Sequence, residues 1–274
     1  MNHPNTTPAV VAHEATSAHN GYYLVGNGPR KVIVLHGWLS DASSWSAVWQ
    51  LLDRHAFTWC VMDARGFGQS RHRTGEYSVS EIAQDALELA DHLGWSEISL
   101  IGHSMSGLAI QRVLVAAPER VRALVAVAGV PASGGGLAGE RRAMFDRAID
   151  DRDARAIIID RSTGSRRGER WVDILTERSL RRSRNEALRP YLDSWADGDF
   201  HTEIIGNPVP VGVIIGEHDP SLTADRMRDT WLSWYPNSCL KVIAGSGHYP
   251  MDEQPGVLAS VIDAVLIHHV AVVG

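Results

Sequence analysis

Cysteine is nearly absent from this chain. Of its 274 residues only Cys60 and Cys239 are cysteines, and both fall within or beside stretches that read as strands. They read as buried thiols, which excludes a disulfide-stapled scaffold. Long apolar runs are missing too. Spanning a bilayer takes about 20 consecutive apolar residues, and no stretch approaches that. The opening Met1-Asn2-His3-Pro4-Asn5-Thr6-Thr7 has neither a basic segment nor an apolar core, so the expectation is a cytoplasmic protein with no leader and no membrane partner. A basic excess is lacking as well. Lys and Arg number 26 against 32 Asp and Glu, a net charge of -6, which argues against a nucleic-acid partner. No His-x-x-x-His pair and no clustered Cys/His spacing occurs, so no metal site is expected.

What is present suits one α/β domain carrying an insertion. Hydrophobic residues make up 44% of the chain, ample for a sizeable core. Short apolar runs alternate with helical patterns, as in a mostly parallel sheet flanked by helices. Strands are expected at 10–13 and 22–25, as an initial antiparallel pair, then at 31–35, 58–62, 98–101, 121–127, 211–215 and 240–243. Helices are expected at 45–53, 79–93, 106–116, 224–234 and 256–268, with Gly94 capping the second. The long interval after the sixth strand differs. It opens on Ser133-Gly134-Gly135-Gly136, a hinge by composition, and runs through arginine-rich helical patterns to Asn207-Pro208. The expected organisation is a core over 1–131, a helical cap over 132–207 and the rest of the core over 208–274.

The richest stretch is Leu100-Ile101-Gly102-His103-Ser104-Met105-Ser106-Gly107. It puts a serine between small residues where an apolar strand gives way to a helical pattern, which reads as a nucleophile elbow. The small residues two positions before and after Ser104 would let neighbouring backbone approach. Downstream, a buried strand ends at Glu217-His218-Asp219-Pro220, and another runs into Gly245-Ser246-Gly247-His248-Tyr249-Pro250. Ser104, Asp219 and His248 thus follow one another in the order of a catalytic triad, each just past the end of a strand. A serine hydroxyl is a weak nucleophile until a base removes its proton; His248 is read as that base and Asp219 as the group that fixes its tautomer. Glu217 competes for the acid's role, because a strand aims residues two apart the same way. The backbone N–H groups of Trp38, after Val32-Ile33-Val34-Leu35-His36-Gly37, and of Met105 are read as the oxyanion hole.

On these residues, together with Asp63-Ala64-Arg65-Gly66-Phe67-Gly68-Gln69-Ser70, the chain resembles the α/β-hydrolase superfamily, in particular its compact esterase, lactonase and haloperoxidase-like members. The resemblance extends from about Gly21 to the final helix. It implies an eight-stranded sheet with a cap after the sixth strand. It also implies a cofactor-independent serine hydrolase that cleaves a small-molecule carboxylic ester or lactone through an acyl-enzyme. Cleavage of a carbon–carbon bond, acyl transfer to peroxide, and a slow-turnover ligand receptor use the same triad and remain alternatives. Two positions depart from the family pattern: Ser106 stands where glycine is commoner, and no Gly-Gly pair follows His36.

Other residues have plainer readings. His36 is expected to brace the oxyanion loop, while His103 and His218 are expected to face away from the catalytic residues along extended chain. Asp63 and Arg65 read as a structural turn, and the arginines of 132–207 as partners of nearby Asp and Glu on exposed helices, with a basic surface that attracts anionic substrates as the alternative. Trp45, Trp49, Trp59 and Trp95 read as packing residues. Trp38, Val130, Trp171, Tyr191, Trp195 and Tyr249 are the candidates for lining the substrate pocket, and an aromatic, apolar pocket favours hydrophobic esters or lactones as substrates.

Overall fold

The computed structural model describes residues 10–271; the Met1–Thr7 segment weighed above lies outside the described residues. One sheet is built from β1 (Val11–His13), β2 (Tyr22–Val25), β3 (Arg30–Leu35), β4 (Phe57–Met62), β5 (Ile98–His103), β6 (Val121–Val127), β7 (Val211–Gly216) and β8 (Ser238–Ile243). Its order is β1-β2-β4-β3-β5-β6-β7-β8. The β1/β2 and β2/β4 pairs are antiparallel and the remaining pairs parallel, as the alternation of strand and helix patterns leads one to expect.

Period-2 alternation sends the central strands' side chains to two cores. In β3, Ile33 and Leu35 join one apolar cluster and Val32 and Val34 the other; in β7, Val213 and Ile214 divide the same way. Both faces must therefore be covered, and the helices cover them. They are α1 (Ser46–Trp49), α2 (Val79–His92), α3 (Ser106–Ala116), α4 (Gly139–Arg147), α5 (Arg152–Ser162), α6 (Glu169–Arg182), α7 (Asn185–Asp197), α8 (Ala224–Asp229), α9 (Trp231–Trp234), α10 (Pro250–Glu253) and α11 (Pro255–Ala271). Helices α4 to α7 are inserted between β6 and β7. Among the described residues no helix is long and apolar enough to cross a membrane. Cys60 is buried and Cys239 half-buried, and the two form no disulfide with each other.

Local chemistry sets the helix ends. Ser78 accepts the N–H of Glu81 at 3.1 Å while the Glu81 carboxylate reaches back to the N–H of Tyr77 at 2.9 Å, a capping arrangement that starts α2. Gly94, at φ +68°, ends it with open space around the missing Cβ, so the left-handed backbone alone explains that glycine.

Two expected helices are shorter than their periodicity indicates. The 45–53 pattern yields a 3-10 turn, Ala42–Trp45, and only one α turn, α1. Asp53 accepts the N–H groups of His55 and Ala56 at 2.9 Å and commits the chain to a turn. The 224–234 pattern breaks at Thr230, at φ -121° and ψ -94°, whose hydroxyl donates to the Arg226 carbonyl at 2.6 Å. Such back-bonding competes with the helix ladder.

Candidate active site

Ser104 follows the end of β5 and precedes α3, with φ at +53°, a costly left-handed conformation for a residue with a side chain. Neighbouring backbone holds it there. Its N–H donates to the Val127 carbonyl at 3.1 Å, and its carbonyl accepts the N–H groups of Gly107 and Val130, each at 2.9 Å. A Cβ on Gly102 would stand 2.3 Å from the Ser106 carbonyl oxygen, and one on Gly107 would stand 2.6 Å from the Val130 nitrogen. The close approach on the helix side is therefore made at Gly107, one residue later than the sequence pattern places it. Ser106 instead donates its hydroxyl to the His36 carbonyl, tying the elbow to the loop that carries Trp38. Gly102→Ala is expected to destabilise the protein by roughly 1–3 kcal/mol, since the obstructing atom is backbone; urea midpoints measure it.

His248 lies in the loop after β8. Its Nε2 is 2.8 Å from Ser104 Oγ and its Nδ1 is 2.7 Å from Asp219 Oδ2. Asp219 Oδ1 accepts the N–H groups of Ser221 at 2.9 Å and Leu222 at 3.0 Å. Burial pushes the Asp219 carboxyl up, but the imidazole beside it and the two amide donors outweigh burial and leave it below the usual carboxylate range. Glu217 is instead exposed and accepts the Gly245 N–H at 3.0 Å. Geometry therefore brings Ser104, His248 and Asp219 together and leaves Glu217 outside. His218 pairs with Glu217 at 3.3 Å and faces away, as expected of it.

His103 does not face away. It is buried, its ring centroid is 5.1 Å from that of His248, and its Nε2 donates to the His248 carbonyl at 2.9 Å. That bond requires the proton on Nε2. Nδ1 then has no hydrogen-bond partner, and a Cβ on Gly37 would come within 2.7 Å of it. Burial first, and then His248, push the His103 imidazole down to about 3. An unfolded histidine titrates near 6.5, so between pH 6.5 and 3 the unfolded chain binds a proton that the folded one refuses. Stability is therefore lost as pH falls through that window, by about 2 kcal/mol at pH 5 from this residue. In His103→Gln, the difference in unfolding free energy between pH 7 and pH 5 is expected to shrink by that amount. An unchanged difference would assign the acid sensitivity elsewhere.

His36 occupies the place expected of it. Its Nε2 accepts the Ala64 N–H at 3.0 Å, which leaves the proton on Nδ1 for the Gly37 carbonyl at 2.8 Å. The ring thus bridges the ends of β3 and β4. The Trp38 and Met105 N–H groups meet no protein acceptor among the described residues, and both residues are buried beside Ser104. Asp63 accepts the Ala42 and Gln69 N–H groups at 2.7 and 2.8 Å, and Arg65 pairs with Asp85 at 2.7 Å, so both serve the turn.

A cavity opens over Ser104. Of the residues expected to line it, Trp38, Val130, Trp195 and Tyr249 do. Tyr191 and Trp171 do not. Tyr191 is fully buried one turn before Trp195, packed between Phe67 and Tyr77, and its hydroxyl donates to the Arg65 carbonyl at 3.1 Å. Trp171 sits behind Tyr249, 6.4 Å between ring centroids, under the Arg167 guanidinium. Phe145 of α4 lines the cavity instead, against Trp38 at 5.7 Å and Trp195 at 5.6 Å. Half of the insertion's arginines meet carboxylates among the described residues, among them Arg142 with Asp146, Asp193 and Asp197, Arg152 with Asp173 and Glu177, and Arg178 with Asp252.

Residues 31–255 match the family model for the alpha/beta hydrolase fold. The chain is 28% identical over 208 residues to a pimeloyl-acyl-carrier-protein methyl ester esterase of Klebsiella pneumoniae, across 72% of this chain and 79% of that protein. The Yersinia enterocolitica protein of the same name is 25% identical over 252 residues, across 87% of this chain and 94% of its own. Among solved structures, a hydrolase from Oleispira antarctica shares the fold at a TM-score of 0.79, with 19% identity, over 96% of this chain and 99% of that one.

Proposed function

Since the chain belongs to the α/β-hydrolase fold family, we propose that it is a serine hydrolase that cleaves a small-molecule carboxylic ester or lactone through an acyl-enzyme. The observation that carries this reading is the unbroken line of hydrogen bonds from Asp219 through His248 to Ser104 Oγ, at 2.7 and 2.8 Å. An exposed structural serine has no need of it. The two esterases to which the chain is similar support the same bond class.

In this reading Ser104 Oγ attacks the carbonyl carbon as its proton passes to His248 Nε2. The negative charge forms on the carbonyl oxygen and meets the N–H groups of Trp38 and Met105, which have no other acceptor among the described residues to give up. Asp219, already ionised, stabilises the imidazolium without taking its proton. Collapse of the tetrahedral species expels the alkoxide, which His248 protonates to the alcohol. Water then gives its proton to His248 and attacks the acyl carbon, releasing the acid and restoring Ser104. For a lactone the alcohol stays tethered to the acyl group until this second half. The chemistry draws on the protein's own groups and on water alone. Residues 132–207 serve as a cap over the cleft in this reading, with the core in 1–131 and 208–274.

The test is intact-protein mass after treatment with a fluorophosphonate, followed by peptide mapping, with hydrolysis of short-chain esters and lactones measured in parallel. One adduct, on Ser104, with turnover abolished in step is the expected result. An adduct elsewhere, or turnover that survives full labelling, would overturn the reading.

A further inference from the structure

Two arginines in the wall of the cavity over Ser104 have no carboxylate to meet. Arg141 of α4 and Arg226 of α8 both line it, and no Asp or Glu does. Neither forms an ion pair among the described residues, whereas half of the insertion's arginines do. They converge on one residue: Arg141 donates to the Ser221 hydroxyl at 2.6 Å and Arg226 to the Ser221 carbonyl at 3.4 Å. Arg226 also reaches the carbonyls of Gly134 and Gly135, at 2.9 and 3.1 Å, which fixes its guanidinium in place. Burial pushes the Arg226 guanidinium down from the usual arginine range and Arg141 pushes it further, while Asp219 opposes them. Two like charges thus converge on Ser221, Arg226 half-buried and Arg141 at the exposed rim, and among the described residues their hydrogen bonds go to neutral oxygens. Such an arrangement is unfavourable until an anion joins it.

The cavity that this pair shares with Ser104 also has apolar lining from Leu137, Phe145, Ile158 and Leu222. We infer that Arg141 and Arg226, with the Ser221 hydroxyl as a third donor, form a carboxylate subsite. It selects esters that carry a carboxylate at the far end of a short apolar chain. The inference rests on the serine hydrolase reading for the bond cleaved, and on the two guanidiniums for what is recognised. Arg–carboxylate hydrogen bonds are among the strong polar contacts a site can offer. A cavity with this wall favours the charged ester over a neutral one of the same length.

The experiment compares monomethyl adipate with methyl hexanoate, and monomethyl suberate with methyl octanoate, at low salt. Wild type is expected to show kcat/KM about tenfold or more higher for each charged member. The difference should lie mainly in KM and shrink at high salt. In Arg141→Gln the charged-to-neutral ratio should fall towards one. Arg226→Gln should do the same, but Arg226 also holds the Gly134–Gly135 backbone, so Arg141→Gln is the variant that separates recognition from folding. A second arm needs no turnover: binding of free adipate to Ser104→Ala, followed by calorimetry, should be lost when Arg141→Gln is added. Equal rates on charged and neutral esters, or a preference and adipate binding that survive Arg141→Gln, would overturn the subsite. Absent hydrolysis of every ester, with adipate still bound through Arg141, would overturn the hydrolase reading and leave the subsite standing.

Discussion

Ser104→Ala is expected to lower kcat on an activated ester such as p-nitrophenyl butyrate by about a millionfold, with KM within a few-fold of wild type. Members of a triad act as a unit, and removing the nucleophile or its base alone costs about as much as removing everything. His248→Ala should therefore match Ser104→Ala, and the double variant should be no worse than either. What survives comes from binding and from the Trp38 and Met105 amides, which neither substitution touches. Single-turnover rates across the three variants measure this. Losses that multiply in the double variant would mean that Ser104 and His248 act in separate steps, against the 2.8 Å contact between them.

Asp219→Asn should cost about 10⁴ in kcat for a reason of tautomer rather than of geometry. The asparagine oxygen can keep both amide donors, Ser221 and Leu222, and the new NH₂ would then face His248 Nδ1. That nitrogen must become the acceptor, so the proton moves to Nε2, where it blocks transfer from Ser104. Fluorophosphonate labelling should slow with turnover, and the melting temperature should change little by comparison. Glu217→Gln serves as the contrast, since its carboxylate is exposed and directed at the Gly245 N–H. A rate for Asp219→Asn near that of wild type would return the acid's role to another residue.

Much of the sheet can be read from the chain because a parallel strand buried on both faces is written as a short apolar run, as in Val211-Gly212-Val213-Ile214-Ile215. The same topology explains why the candidate triad is legible: residues at strand ends are placed by the strand, and loops as short as Gly245–Gly247 leave little freedom. The cavity wall is a different matter. Phe145, Arg141 and Trp195 reach it only because α4 and α7 pack against each other at a particular angle, which no periodicity within those helices specifies. Tyr191, one turn from Trp195, shows the limit. Both are aromatic residues on the same helix, and only the positions of Phe67 and the Arg65 carbonyl decide that one is core and the other wall. His103 escaped for a related reason. Alternation along β5 reads as turning it away from the candidate triad, but the loop after β8 folds back onto it and sets the His248 carbonyl against its Nε2.

The anchoring of His248 bears on how such a protein can be altered. Its N–H donates to the Ser162 carbonyl at the end of α5, at 2.9 Å, and its carbonyl accepts from His103 in the core. A Cβ on Gly247 would lie 2.6 Å from that same Ser162 oxygen, so the two segments interlock with no slack. His248 is thus held from two sides, one in the sheet and one in the insertion. Exchanging helices α4 to α7 for those of a relative is therefore expected to reseat the imidazole as well as reshape the pocket, so that under the proposed function rate and selectivity would change together.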